Sequence, residues 1–200
     1  MTAAQAYGEY LMRRSRLGGV YRRYLLYPRI CHRLVGRAVD VGCGIGDFLQ
    51  FRPNTVGVDV NPHTVAYCQS RGLDARLMKP DVLPFEDASF DSALMDNVLE
   101  HIADPAALML ELRRVLRPEG LLLIGVPGVL GWDSDSDHKV RYDEASLGAT
   151  LNSDDFVPIE VFYTPLWQSA WLSRHLRQYC IFALYGNLRP GASVAQPTDR

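Results

Sequence analysis

One short segment constrains the fold of this 200-residue chain more than any other. Residues 37–41 form an apolar run that leads into three closely spaced glycines, Gly42, Gly44 and Gly46, and a helix is predicted to begin at Phe48. Glycines at the end of a strand let backbone amides approach a ligand without interference from a Cβ atom. In open parallel sheets, ligands bind beyond the carboxyl ends of the strands. The segment therefore predicts an α/β fold that holds a ligand at the exit of its first strand.

The residues that follow alternate between strand-like apolar runs and helix-like amphipathic runs. Further strands are predicted at residues 55–60, 75–78, 91–95, 121–126, 157–163 and 180–185, and helices at 63–71, 98–102, 105–116, 144–151 and 167–177. Residues 121–126 are purely apolar, as expected of a strand buried on both faces. Short connections between such units predict a parallel sheet with right-handed crossovers.

The chain is predicted to have three parts: a basic helical arm at residues 1–36, one α/β domain at 37–186 and a frayed tail at 187–200. The arm is predicted to be helical from about residue 7 to 35, with interruptions at Gly18–Gly19 and at Pro28. Up to Arg37 there are eight arginines and one acid, a charge of +7, against 13 bases and 22 acids, or −9, in the remainder. Such an arm either contacts an anionic partner, such as nucleic acid or phospholipid, or forms a solvated helix face.

The four cysteines have no Cys-x-x-Cys spacing, which argues against a structural zinc site and a disulfide framework. No apolar run at the N-terminus indicates a signal peptide, and no stretch approaches the roughly 20 apolar residues of a membrane span. These features predict a cytoplasmic protein, with contact between the basic arm and the inner membrane face as an open alternative.

The residue after the glycine turn separates the candidate cofactors. A dinucleotide fingerprint would need glycine at position 47, which is Asp47, and an acid at a helix N-terminus repels a pyrophosphate. No Gly-x-x-x-x-Gly-Lys-[Ser/Thr] phosphate loop is present. S-adenosyl-L-methionine has no phosphate and carries an ammonium and a sulfonium, so Asp40 and Asp47 are compatible with it. Asp59, which ends the second predicted strand, can accept both ribose hydroxyls or cap the next helix, although Asn61 is the better cap.

Together these segments resemble the class I S-adenosylmethionine-dependent methyltransferases of the type 11 group, which includes quinone, sterol and other small-molecule methylases. The matching segments occur in family order at residues 40–46, 58–59, 81–91, 97–101 and 116–120. The resemblance implies a Rossmann-like seven-stranded sheet of order 3-2-1-4-5-7-6, with the last strand antiparallel and helices on both faces. It implies cofactor contacts from Asp40, Gly42, Cys43, Gly44, Gly46, Asp59, Val60, Asp81, Val82, Asp96 and Asn97. Within this set, Asp40 and the glycine turn hold the methionine portion, Asp59 the ribose and Asp81 the adenine amine, while Asp96–Asn97 lie beside the sulfonium and the acceptor.

Two histidines are candidate general bases for a hydroxyl acceptor. His101 follows the fourth predicted strand and His138 lies in the polar loop after the fifth. The alternative for His101 is a surface or capping role, and for His138 a solvated loop position. No metal site is predicted, because the aspartates at 133, 135 and 137 lack the glycine and distal glutamate of a calcium loop and nothing in sequence completes Glu100–His101.

The leading hypothesis is methyl transfer by in-line displacement to a small-molecule or lipid- or glycan-linked acceptor, at oxygen. A nucleic-acid methyltransferase is the first alternative, disfavoured because no RNA-binding module and no Asn/Asp-Pro-Pro-[Phe/Tyr] motif is recognisable. A non-catalytic binding protein and a nicotinamide oxidoreductase are the others; the intact turn argues against the first and Asp47 against the second. Trp167, Trp171 and His175 share one predicted helix face, for which core packing is favoured over an aromatic wall beside the acceptor.

Overall fold

The computed structural model describes residues 16–151 and 156–187, and seven strands form one sheet within them. The strands are β1 (Ala38–Val41), β2 (Thr55–Asp59), β3 (Ala75–Leu77), β4 (Phe90–Asp96), β5 (Leu116–Pro127), β6 (Val157–Thr164) and β7 (Cys180–Gly186). Their order is β3-β2-β1-β4-β5-β7-β6, and β7 runs antiparallel to both of its neighbours while the other pairs are parallel. The predicted order and the antiparallel last strand are confirmed.

Helices connect the strands and cover the sheet. They are α1 (Arg16–Tyr21), a π-helical segment (Arg22–Leu26), α2 (Tyr27–Cys31), α3 (Asp47–Phe51), α4 (Pro62–Ser70), a 3-10 turn (Leu99–His101), α5 (Ala106–Val115), α6 (Val129–Asp133), α7 (Glu144–Leu151) and α8 (Ala170–His175). Pro62 opens α4, and the Asn61 side chain accepts a hydrogen bond from the His63 amide at 2.9 Å, so Asn61 is the helix cap. No helix of the described residues is long and apolar enough to span a membrane.

The two faces of the sheet have separate cores. All residues of β1 and β2 are buried, which explains why they are apolar except at Asp40, Thr55 and Asp59. On one face, Val39 and Val58 pack with α5 residues such as Leu112. On the other face, the π-helical segment, α2 and the residues just after α2 contribute Leu26, Tyr27, Ile30 and Leu34, which pack with Phe48, Leu94, Leu123, Phe182 and Leu184. The described part of the basic arm therefore forms one face of the core.

The predicted interruptions of the arm are wrong, because Gly18–Gly19 lie within α1 and Pro28 lies within α2. The π-helical segment ends at Leu26, two residues before the proline, and the Tyr27 amide donates to the Arg22 carbonyl, five residues back. Proline has no amide hydrogen, and its ring clashes with the carbonyl four residues earlier in a regular helix. The wider turn accommodates the ring without ending the helix.

Two arginines of the arm pair with acids of the α/β domain. Arg33 makes a bidentate contact with Glu160, at 2.6 and 2.8 Å, and its guanidinium lies 3.7 Å from the Phe162 ring centroid. Arg22 lies 3.0 Å from the Asp47 carboxylate at the start of α3. The positive charges of Arg22 and Arg33 are therefore paired with acids of the same chain.

Three further predictions differ from the structure. β5 begins at Leu116 and runs through Gly120, because residues 116–120 extend along β4, where Phe90 pairs with Leu116. α8 begins only at Ala170, and Trp167 and Trp171 are 67% and 65% exposed, so the favoured core packing of this stripe is wrong. Asn187 is buried because its amide donates to the carbonyls of Arg113, Leu116 and Arg117, whereas the rest of the predicted tail lies outside the described residues.

Candidate active site

The glycine turn between β1 and α3 has the backbone conformation that its sequence requires. The φ angles are +76° at Gly42, +53° at Gly44 and +76° at Gly46. A Cβ atom on Gly42 would lie 2.4 Å from Val98 Cγ2, so no other residue fits there without displacement. The amides of Gly42 and Cys43 donate to the Val58 carbonyl at 2.8 and 3.0 Å, which folds the turn over the end of β2. Cys43 is buried, so its side chain packs beneath the turn.

Asp59, the last residue of β2, holds this turn in place. One carboxylate oxygen accepts from the Gly44 amide at 2.9 Å and the other from the Asn61 amide at 2.8 Å. Burial raises the pKa of the carboxyl group, and these hydrogen bonds oppose the rise. A carboxylate oxygen has room for a second donor, so the contacts leave the predicted ribose contact open. Val60, next in the chain, is exposed at the rim.

The carboxyl groups of Asp40, Asp59 and Asp96 lie close together where β1, β2 and β4 end. Asp40 is fully buried, and burial followed by the charges of Asp96 and Asp59 raises its pKa well above the ordinary value. Neighbouring carboxylates in a buried site favour a cation and disfavour an anion. The residues present therefore fit a ligand that carries ammonium and sulfonium charges and has no phosphate.

The loop that is predicted to contact the adenine, at Asp81 and Val82, is held by an ion pair between Glu111 and Arg114. The sequence alone did not predict this pair. Asp81 has a φ of +60°, and Val82 beside it is exposed. The Leu83 amide donates to Glu111 at 2.9 Å, and the Arg114 guanidinium donates to Glu111 and to the Leu83 carbonyl. The spacing of Glu111 and Arg114 on α5 was the available signal, but it indicates only a pair on one helix face.

Asp96 and Asn97 lie where β4 ends. Asn97 has a φ of +56°, and its side-chain amide donates to the Asp96 carboxylate at 2.8 Å. Its backbone amide donates to the Gly125 carbonyl of β5 at 2.9 Å. Both side chains are accessible, Asp96 partly and Asn97 more fully, so they can meet a ligand at this edge of the sheet.

The two candidate bases, His101 and His138, meet in one cluster although 37 positions separate them in sequence. Their ring centroids are 4.7 Å apart, and the His138 ring also stacks on Trp132 at 4.9 Å. His138 Nδ1 lies 2.8 Å from the Trp132 carbonyl, which can only accept, so Nδ1 carries the hydrogen. His138 Nε2 is left as the acceptor and lies 3.9 Å from Glu100 Oε1.

Glu100 completes this histidine cluster of Glu100, His101 and His138. The Glu100 side chain is buried, and burial, with the nearby charges of Asp96 and Asp135, raises its pKa to about 8. Burial and the neighbouring His138 lower the pKa of His101. The histidine cluster is next to the glycine turn, because Val98, two residues before Glu100, lies against Gly42.

Comparison with known proteins agrees with this architecture. A family model described as "Methyltransferase domain" matches residues 39–124. The chain is 34% identical to a probable S-adenosylmethionine-dependent methyltransferase of Mycolicibacterium smegmatis, over 68% of the chain and 58% of that protein. It is 28% identical to the 27-O-demethylrifamycin SV methyltransferase of Amycolatopsis mediterranei, over 64% of the chain and 56% of that protein. The chain thus spans a little over half the length of these two relatives.

Solved structures show the same fold. The structure of a complex between the Haloferax volcanii Trm112 methyltransferase activator and a methyltransferase matches with a TM-score of 0.72 and 18% identity, over 94% of this chain and 99% of that one. Structural agreement at such low identity concerns the fold. In the matched family model, the ordered motifs and the strand order, the chain is similar to the class I S-adenosylmethionine-dependent methyltransferases, a family whose cofactor is S-adenosyl-L-methionine.

Proposed function

We propose that this chain transfers a methyl group from S-adenosyl-L-methionine to a hydroxyl oxygen of a small-molecule or lipid- or glycan-linked acceptor. The observation that carries the proposal is the position of Val98, which lies against Gly42 of the glycine turn and is followed two residues later by Glu100 of the histidine cluster. A donor site and a group able to accept a proton therefore share one edge of the sheet.

On the donor side, the chain binds and orients. Asp40 and Asp96 attract the cationic portion of the donor, the turn at Gly44 offers backbone amides, Asp59 accepts from the ribose hydroxyls, and Asp81 contacts the adenine amine. The donor, when bound, supplies an activated methyl group. Much of the rate then comes from holding the acceptor oxygen in line with that group, which is a task of positioning.

On the acceptor side, His138 is the best placed base. Its Nδ1–H is fixed on the Trp132 carbonyl, so Nε2 is free to take the hydroxyl proton. His101 lies against it, and burial together with His138 lowers the pKa of His101, which favours its neutral form. The name of the Amycolatopsis mediterranei relative, which refers to O-methylation of a small molecule, supports an oxygen acceptor.

Trp132 and Trp171 support an acceptor with an apolar part. α6 carries Trp132, which stacks on His138, and the Val129 amide of α6 donates to Ser173 of α8 at 2.9 Å. α8 carries the exposed Trp171. Trp132, stacked on His138, suits an apolar ring or chain beside the reacting hydroxyl, and the neighbouring helix adds the exposed Trp171.

A donor-turnover assay tests the proposal. The full chain is incubated with methyl-labelled S-adenosyl-L-methionine and fractionated cell extract, and labelled products are identified by mass. We expect a labelled small molecule or lipid-linked product, no label with Asp59→Ala, and labelling slowed about 100-fold or more by His138→Ala. Label found only in nucleic acid, or labelling unaffected by His138→Ala, would contradict the proposal.

A further inference from the structure

The histidine cluster has the composition of a metal site. Glu100, His101 and His138 each offer one ligand atom, and these atoms all lie within 4.8 Å of one another. Two imidazole nitrogens and one carboxylate form a set that divalent transition metals prefer, whereas Mg²⁺ and Ca²⁺ prefer oxygen ligands. The pair Glu100–His101 is incomplete in sequence, and the fold brings His138 to it from the loop after β5.

The Glu100 carboxylate needs a partner that the described residues do not provide. The residue is 0% exposed, and neither carboxylate oxygen has a hydrogen-bond partner among residues 16–151 and 156–187. A buried carboxylate without a hydrogen bond or counter-charge is strongly unfavourable. One of its oxygens lies 3.9 Å from His138 Nε2, so the carboxylate is directed into the cluster. A cation between them would satisfy both groups.

The surroundings orient the His138 imidazole as imidazoles are oriented in metal sites, and His101 lies near a carboxylate. His138 Nδ1 donates to the Trp132 carbonyl at 2.8 Å, and His101 Nδ1 lies 3.6 Å from the Asp137 carboxylate. Metal-bound histidines usually donate their second nitrogen to a carbonyl or carboxylate, as His138 does here. The Glu100 carbonyl also accepts from the amides of Lys139 and Val140, at 2.7 and 3.1 Å. These bonds fasten the loop that carries His138 to the turn that carries the other two ligands.

We propose that Glu100, His101 and His138 bind one divalent transition-metal ion of the Mn²⁺, Fe²⁺, Co²⁺ or Zn²⁺ class. Bonds of about 2.0–2.2 Å place neighbouring ligand atoms about 3–3.5 Å apart, so the 3.9 Å between Glu100 and His138 closes with a small side-chain shift. Three protein ligands leave coordination positions open for water or an acceptor oxygen.

The role of the ion in the reaction rests on the proposed function, but its binding does not. With both imidazoles bound to the ion, the histidines act as ligands, and the positive charge of the ion lowers the pKa of an acceptor hydroxyl bound at an open position. The hydroxyl proton then passes to solvent. In the metal-free protein, His138 Nε2 remains the proton acceptor.

A cobalt titration tests the site without donor or acceptor. The full chain is stripped with a chelator, dialysed and titrated with Co²⁺, and the visible absorption of the bound ion is followed. We expect one equivalent to bind, with affinity reduced about 100-fold or more in Glu100→Gln and in His138→Ala. His32→Ala, which removes an exposed histidine far from the cluster in sequence, should bind as the unchanged chain does.

Circular dichroism of each variant establishes that loss of binding is not loss of folding. An unchanged chain that binds no Co²⁺ or Zn²⁺ would overturn the proposal, as would binding that persists in both Glu100→Gln and His138→Ala. Because this titration involves no methyl transfer, a failure of the proposed activity leaves its result intact, and the reverse is also true.

Discussion

Replacement of Asp59 by alanine removes hydrogen bonds within the protein and the proposed contact with the donor ribose. The first loss lowers the free energy of unfolding and the second lowers donor affinity, so the two can be measured separately. Within the protein, the carboxylate accepts from the Gly44 and Asn61 amides at 2.9 and 2.8 Å. Each such bond to a charged acceptor contributes about 1.5–3 kcal/mol, but the substitution also relieves the burial of the carboxyl group, which raises its pKa. We expect a net loss of about 1–3 kcal/mol in the free energy of unfolding.

The loss of donor affinity should be larger. Two ribose hydroxyls donating to one carboxylate correspond to about 3–6 kcal/mol, or about 160- to 26,000-fold in Kd. Isothermal titration with S-adenosylhomocysteine measures this change, and chemical denaturation measures the stability change. Asp74→Ala is the matched control, since it removes one exposed acid of the same charge. Unchanged affinity in Asp59→Ala would refute the assignment of the ribose contact.

Three further predictions concern stability, and denaturant unfolding measures each. Gly42→Ala should lower the free energy of unfolding by about 1–2 kcal/mol because of the positive φ, and further because the new Cβ meets Val98. Adding Val98→Ala should restore only the part that is due to the contact. Full restoration would show that the positive φ costs nothing and would contradict the prediction. Gly125→Ala places a Cβ 2.3 Å from the buried Phe182 ring and should cost about 1–3 kcal/mol, and a neutral effect would contradict the packing. The raised pKa of Asp40 means that the folded state binds more protons than the unfolded state above pH ~4, so stability should fall as pH rises through this window. Asp40→Asn should flatten that fall, and an unchanged slope would contradict the interpretation.

The sheet and the donor turn could be predicted because their determinants are local. The apolar strands, the glycines at 42, 44 and 46 and the cap at Asn61 all lie within a few residues of the structure they specify. The strand order came from the resemblance, because local pattern alone does not say which strands are neighbours.

The features that escaped prediction depend on contacts between distant residues. Arg33 pairs with Glu160, 127 positions away, so composition could not tell a docked arginine from one that awaits an anionic partner. Trp167 and Trp171 have helical spacing, but the helix begins too late for that spacing to define a buried face. Glu100 and His138 are 38 positions apart and are brought together by the path of the chain after β5. The sequence therefore could not show that His138 joins Glu100 and His101 in one cluster.

Calorimetric titration of the unchanged full chain with S-adenosylmethionine and, separately, with NAD⁺ tests the central claim most directly. Asp40, Asp59 and Asp96 should attract the cationic donor and repel a pyrophosphate at the glycine turn. We expect one equivalent of S-adenosylmethionine to bind and NAD⁺ to give no heat of binding. Binding of NAD⁺, or the absence of any heat with S-adenosylmethionine, would contradict the account.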